Sequence, residues 1–238
     1  MILAAVLTLV WFIYFSPYFK IKSFKINGLN RISSAEIENS FWSQADKRKL
    51  FFSSQKNLFL FDEDEFISSI NDRYNFISVE LKNDLPDAFI LDLKEREPIA
   101  IWNEDGNNFL IDNEGYIIVP ASQADFDQKM PMIENHSGNK VSDKKIGISQ
   151  KKNDFILNIF TDFKDSKIDY QIEKVFIEND VDTIKVLLSN GPFILLNSRG
   201  DSDKQIEKIS SLYRDMHKDE FAKNEYYDLR YGDRVYYK

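Results

Sequence analysis

VELKNDLPDAFILDLKEREPIAIW, residues 79–102, is the stretch that decides the fold. Ile77, Val79 and Leu81 alternate with Ser78, Glu80 and Lys82, the period of two that marks a strand with one buried face. After the turn cluster Asp84-Leu85-Pro86-Asp87, Phe89, Leu91 and Leu93 alternate with Ile90, Asp92 and Lys94. The pattern predicts a half-buried antiparallel hairpin whose apolar face is covered by helices.

Upstream, the sequence supplies those helices and one more strand. Asp62-Glu63-Asp64-Glu65 opens a helix with acidic groups at its positive end and Phe66, Ile67 and Ile70 on one side. Ser33-Ser34-Ala35-Glu36 has capping-box spacing and precedes Ile37 and Phe41 at i, i+4. Phe24-Lys25-Ile26-Asn27 alternates and ends at the turn residue Gly28. Residues 23–95 therefore read as strand, helix, helix, strand, strand.

Residues 1–19 carry no charged side chain and, as a helix, would span roughly 28 Å. Ile2, Leu3, Val6, Leu7, Leu9, Val10, Phe12, Ile13 and Phe15 together favour insertion by about 3 to 5 kcal/mol. Tyr14, Pro17 and Tyr18 mark the far interface and Lys20 closes the run. With no basic n-region and no small-x-small site near Ser16, the expectation is an uncleaved anchor rather than a signal peptide. Lys20, Lys22 and Lys25 follow the span and nothing basic precedes it, so the positive-inside count alone favours the opposite orientation. A start site lying further upstream, with a basic tail, would account for that.

From Glu97 onward a second, mostly β unit is expected. Phe109–Ile111 and residues 116–119 flank the turn Asp112-Asn113-Glu114-Gly115. Residues 121–152 are polar and irregular, read as a long surface loop with at most short pieces of strand. Phe155, Ile156, Ile159, Phe160 and Phe163 have helical spacing, and strands follow at residues 172–178, 183–188 and 192–197. A long helix starting near Asp201 and Asp203 carries Ile206, Ile209, Leu212, Tyr213 and Met216 on one face. Finally Tyr227, Leu229 and Tyr231 alternate with Asp228 and Arg230, and Val235 and Tyr237 continue after Gly232.

Composition narrows the function classes. The chain has 238 residues, with 31 basic against 39 acidic side chains and a net charge of −8, a balance that argues against nucleic-acid binding. No cysteine is present, which removes disulfides, thiolate metal sites and thiol nucleophiles. His136 and His217 are the two histidines, so histidine-based metal sites and a Ser-His-Asp triad are thin prospects. His136 reads as a loop residue and His217 as a late-helix cation. Arg199-Gly200-Asp201 spells an adhesion tripeptide but reads as a turn feeding a helix.

Four signatures in a fixed order carry a family resemblance. FKINGLNRISSAEI (residues 24–37) resembles the opening strand and helix of a POTRA domain. Residues 79–102 are similar to the hairpin and the ER-x-P-x-A-x-W exit of the FtsQ/DivIB cell-division family. FLIDNEGYII (residues 109–118) resembles that family's Asp-x-x-Gly hairpin, and YYDLRYGDRVYYK (residues 226–238) its C-terminal Asp-Leu-Arg strand. The resemblance implies an α+β chain in three parts. These are a transmembrane anchor (1–19), a POTRA-like β-α-α-β-β domain (20–96) and a mixed β-sheet domain with helices on one face (97–238). It further implies a non-enzymatic divisome scaffold without cofactor, catalytic residue or metal. Such a protein is single-pass in the cell (inner) membrane, with its N-terminus cytoplasmic and its C-terminal domain extracytoplasmic, at the division septum. Its partners would be FtsB/DivIC-like, FtsL-like, and FtsK- or FtsW/FtsI-like proteins. The alternatives are a POTRA-containing secretion or assembly component and a tethered hydrolase of cell-wall glycans.

Two groups of residues stand out as sites. By the resemblance, a partner segment adds as an extra strand near the C-terminus, so Arg230, Tyr231, Arg234, Val235, Tyr236 and Tyr237 form the expected docking edge. Tyrosines interleaved with arginines are the side chains that dominate interface energetics, and Tyr227 and Leu229 are expected to point inward. Arg96, Pro98 and Trp102 mark the expected domain junction, with Arg96 paired to a neighbouring carboxylate and Glu95 and Glu97 on the opposite face of the strand.

Overall fold

In the computed structural model, which describes residues 1–50, 53–180, 182–216 and 218–238, the chain falls into two units, Met1–Arg96 and Glu97–Lys238. His217 lies outside the described residues.

The first unit opens with helix α1 (Ile2–Phe15) and a 3-10 turn (Pro17–Phe19). This 18-residue run, Ile2–Phe19, has a mean hydropathy of 1.9 and is long and apolar enough to cross a membrane. Then come β1 (Ser23–Asn27), α2 (Ser34–Ala45), a small ladder of β2 (Arg48–Leu50) with β3 (Ser53–Ser54), α3 (Glu63–Tyr74), β4 (Ser78–Asp84) and β5 (Ala88–Lys94). The sheet order is β1-β5-β4, with β5 antiparallel to β4 and parallel to β1. The predicted hairpin is present, and Phe89 and Leu91 of β5 are fully buried under Ile37, Phe41, Phe66 and Ile70 from the two helices. Phe41 stacks on Phe24 with ring centroids 3.8 Å apart and meets the rings of Phe61, Phe66 and Phe89 within 5.6 Å. Gly28 is obligatory: its φ is +85°, and a Cβ there would come within 1.9 Å of the Leu93 carbonyl oxygen.

Helix entry follows the sequence at α3 and departs from it at α2. The Asp62 side chain accepts the Glu65 N–H, as its composition suggests. The capping box expected at Ser33 and Glu36 does not form, because Glu36 is drawn across to α3. There it accepts from the Tyr74 hydroxyl and from Arg73 at 3.3 Å.

The second unit contains β6 (Ala100–Glu104), β7 (Asn107–Ile111), β8 (Ile117–Pro120), α4 (Gln123–Asp127), β9 (Met132–Asn135) and α5 (Gln150–Asp165). It continues with β10 (Ile172–Ile177), β11 (Thr183–Leu188), β12 (Phe193–Asn197), α6 (Ser202–Asp215), α7 (Lys218–Lys223), β13 (Tyr226–Asp228) and β14 (Tyr236–Tyr237). Among the described residues nine strands form one mixed sheet in the order β14-β13-β12-β11-β10-β9-β6-β7-β8. The main core gathers Ile156 and Ile159 of α5, Ile206 and Ile209 of α6, and the inward positions of the sheet. On β6 and β7 the neighbouring positions Ile101 and Leu110 point the other way and pack with Phe126 of α4.

Residues 121–152 are more ordered than their polarity suggests. Ser122 and Asp125 form a reciprocal capping box at the start of α4. β9 is not a surface loop but a central strand, parallel to both β6 and β10, with Ile133 fully buried. Its polar residues are tolerated because they are paired. Asn135 donates to Glu104 at 2.8 Å, and Glu134 takes Lys174 and His136.

Candidate functional site

The C-terminal edge of the nine-stranded sheet is built from β12, β13 and β14. β13 runs parallel to β12, with Phe193, Ile194 and Leu195 opposite Tyr226, Tyr227 and Asp228. Tyr227 and Leu229 point inward: both are buried, and the Tyr227 ring stacks on Phe221 at 4.3 Å while its hydroxyl donates to the Phe221 carbonyl. Burial raises the Tyr227 phenol above its ordinary pKa.

β13 is shorter than its alternating sequence suggests, and the reason lies in Asp228 and Arg230. One Asp228 oxygen accepts the Arg230 N–H at 3.1 Å and its Nε at 2.9 Å, and the other accepts Nη2 at 2.7 Å. This closes a local turn that ends the strand. Nη1 of the same guanidinium donates to the Thr183 hydroxyl on β11. Burial pushes the Asp228 carboxyl up, but the paired guanidinium and the amide N–H outweigh it and hold the group below its ordinary range. Arg230 is raised in turn, chiefly by its bond to Asp228. Arg230 is thus a brace between β11 and β13.

Beyond the turn the chain folds back as β14, antiparallel to β13, with Tyr237 opposite Tyr227 and Tyr236 opposite Asp228. Lys208 of α6 donates to the Gly232 carbonyl and pins the turn. Lys238 faces β13, donating to the Tyr226 carbonyl and accepting from the Glu225 N–H. Main-chain groups alternate sides along a strand, so with Lys238 bonded to β13, Tyr237 turns its N–H and C=O outward, away from β13. β14 is one of the two outermost strands of the sheet.

Of the expected docking residues, the structure places Tyr236 and Tyr237 in the edge strand itself, with Val235 just before it. Val235 is half-buried against the core, while Tyr236 is 48% and Tyr237 53% exposed. Tyr237 lies beside Tyr227 at 5.6 Å. Tyr231, 58% exposed, sits in the turn with its ring edge-on to Tyr236 at 5.9 Å, and Arg234 is exposed next to it. A groove of about 360 Å³ opens beside this edge, lined by Asp180, Thr183, Lys185, Phe193, Tyr226 and Arg230. Lys185 Nζ covers the Phe193 ring at 3.8 Å.

The other singled-out residues have structural partners. Arg96 Nε donates to the Asn75 carbonyl at 2.9 Å, and Pro98 is half-buried in the irregular stretch before β6. Trp102 is fully buried in the second unit's core, with Nε1 donating to Glu104 at 3.3 Å. Glu95 has a role the sequence did not reveal, its carboxylate accepting the backbone N–H groups of Asn30, Arg31 and Ile32. Arg199 pairs with Asp182, and Asp201 accepts the Lys204 N–H at the start of α6, so the Arg-Gly-Asp run is a turn and a cap. His136 bonds Glu134 at 2.9 Å, and no metal-holding group of acids and histidines occurs among the described residues.

Residues 100–230 match the family model described as cell division protein FtsQ/DivIB, C-terminal. β14 lies beyond that match. The chain is 26% identical over 229 residues to the cell division protein DivIB of Clostridium botulinum strain Hall, covering 93% of this chain and 82% of that protein. It is 23% identical over 220 residues to DivIB of Clostridium tetani, covering 90% and 77%. Against DivIB of Staphylococcus aureus it is 26% identical over 136 residues, covering 57% and 29%.

Proposed function

The chain belongs to the FtsQ/DivIB family of cell-division proteins, and from that premise we propose that it is a non-catalytic, membrane-anchored scaffold that captures another division protein by strand addition at β14. The observation that carries this reading is the position of β14 at the margin of the sheet, with exposed Tyr231, Tyr236 and Tyr237 along it. An added strand gains affinity from main-chain hydrogen bonds and selectivity from alternating side chains. The edge is only two residues long and lies between the cations Arg234 and Lys238, features that discourage self-pairing until a matching partner arrives.

α1 supplies the second half of the mechanism. Held in the cell membrane by Ile2–Phe19, with its second unit outside the cytoplasm at the septum, the protein meets similarly anchored partners in two dimensions. That confinement raises their effective concentration without any new contact. By family resemblance the occupant of the edge is an FtsB/DivIC-like segment, with FtsL-like and FtsK- or FtsW/FtsI-like proteins in the same assembly.

The test is co-purification from membranes followed by mass spectrometry, comparing the native chain with Tyr237→Pro. Proline removes the outward N–H of Tyr237 and leaves the inward pairing of Tyr236 and Lys238 in place. The variant is expected to lose its division partners while keeping membrane fractionation and circular dichroism. Undiminished capture would overturn the docking assignment.

A further inference from the structure

Helix α1 is joined to the first unit without a free linker. The amide of Asn57, a residue only 7% exposed, donates to the carbonyls of Ile13 at 3.0 Å and Tyr14 at 3.2 Å in the last turn of α1. Its own oxygen accepts the Phe59 N–H at 2.9 Å, so the side chain is fully engaged. The last carbonyls of a helix have no partner within it, and next to lipid an unpaired carbonyl is costly. Asn57 therefore caps the anchor from the globular unit. The segments either side are laced together as well: Leu58 N–H bonds the Phe19 carbonyl, Ile21 N–H bonds the Lys56 carbonyl, and Lys20 pairs with Asn57.

Exposed apolar residues gather at the same end. Among the described residues of 16–96, the exposed large apolar side chains are Tyr18, Phe59, Ile77 and Leu85. Tyr18 and Phe59 flank Phe19, each with ring centroids 5.1 Å away, and Phe19 in turn meets Phe12 of α1 at 5.9 Å. Leu85 lies at the tip of the β4–β5 hairpin. That tip is tied to the start of β1, because Lys22 N–H bonds the Asp87 carbonyl at 2.8 Å and Lys22 Nζ pairs with the Asp87 carboxylate. Only Ile77 lies at the far end of the sheet, beside Lys94.

We propose that the first unit is seated on the lipid surface through Tyr18, Phe59 and Leu85 and held there at a fixed height and tilt by the Asn57 cap on α1. The occupant of this surface is the headgroup–acyl boundary of the bilayer, because the patch is continuous with the apolar helix and carries the aromatic and apolar side chains that partition there. The proposal rests on α1 crossing the membrane. The seating makes the unit a rigid post, so the membrane sets its orientation.

The chain has no cysteine, so single cysteines carrying nitroxides can be introduced into an unlabelled background. The full chain, labelled at position 9, 59, 77 or 85, is reconstituted into phosphatidylethanolamine–phosphatidylglycerol vesicles holding no other protein. Collision with oxygen and with a water-soluble nickel chelate then reads the depth of each label. Labels at 59 and 85 are expected to favour oxygen and the label at 77 the nickel chelate. Water-like readings at both 59 and 85 with a bilayer-deep label at 9 would overturn the seating and leave the anchor standing; a water-like label at 9 would overturn both. In Asn57→Leu, nickel accessibility at 85 is expected to rise severalfold with the spectrum at 77 unchanged, and an unaltered value at 85 would overturn the cap's role. The native-background readings decide the seating whatever Asn57→Leu does to folding.

Discussion

Arg230→Ala removes the brace beneath the edge strand. The Asp228 side chain is 8% and the Arg230 side chain 25% exposed, with two side-chain bonds of 2.9 and 2.7 Å between them. Removing one member of a fully buried pair costs about 3–5 kcal/mol, mostly because the other charge is stranded. A guanidinium one quarter in water places the expected loss lower, at about 2–3 kcal/mol. For a unit of this size that corresponds to a fall in Tm of roughly 6–9 °C. Asp228→Asn in the same background should recover part of the loss, giving a coupling of about 1–2 kcal/mol in the double-mutant cycle. Arg230→Lys should rescue poorly, because an ammonium cannot make the fork of bonds that the carboxylate receives. Thermal melting of the full chain in detergent, read by circular dichroism, measures the native chain, Arg230→Ala, Asp228→Asn, the double variant and Arg230→Lys. A shift below about 1 °C for Arg230→Ala, the size of an ordinary surface substitution, would refute the brace.

Acid should reveal the same pair. Asp228 and Asp180 both ionise more readily in the folded chain than their ordinary value of 3.8, so the unfolded chain takes up protons first. Their contribution is complete above that value and lost as pH falls through the lower folded values, and Arg230→Ala should flatten this acid limb of the stability curve. Tyr74, pushed up to about 12 by burial and by its bond to Glu36, should resist ionisation in an ultraviolet titration well above the ordinary phenol value of 10.0. Glu36→Gln should lower that midpoint, and a Tyr74 signal near 10 in the native chain would count against the contact. Phe41→Ala empties the centre of the aromatic cluster in the first unit and should cost about 3–5 kcal/mol in denaturant unfolding, whereas Ile77→Ala at an exposed site should stay within about 0.5 kcal/mol.

The sequence was most legible where local pattern and tertiary environment agree. The alternation of Phe89, Leu91 and Leu93 against Ile90, Asp92 and Lys94 became β5, and Phe155, Ile156, Ile159 and Phe163 became the buried face of α5. It misled where distant residues decide. β9 is four residues long, and two of them are polar. Its place between β6 and β10 depends on Glu104 and Lys174, which lie far away in the chain. Ser33 and Glu36 have the spacing of a cap, yet Tyr74 and Arg73 compete successfully for the carboxylate. At the C-terminal edge the inward face of Tyr227 and Leu229 was legible in the alternation. That Arg230 turns inward to Asp228, ends β13 and leaves β14 as the outermost strand follows from a three-dimensional pairing that alternation does not record.

Amide hydrogen exchange of the native chain with and without the co-purified division partner tests strand addition most directly. The outward amide of Tyr237 should gain protection in the complex while the inward amides of Tyr236 and Lys238 change little. New protection confined to other parts of the second unit, with Tyr237 still exchanging freely, would contradict strand addition at β14.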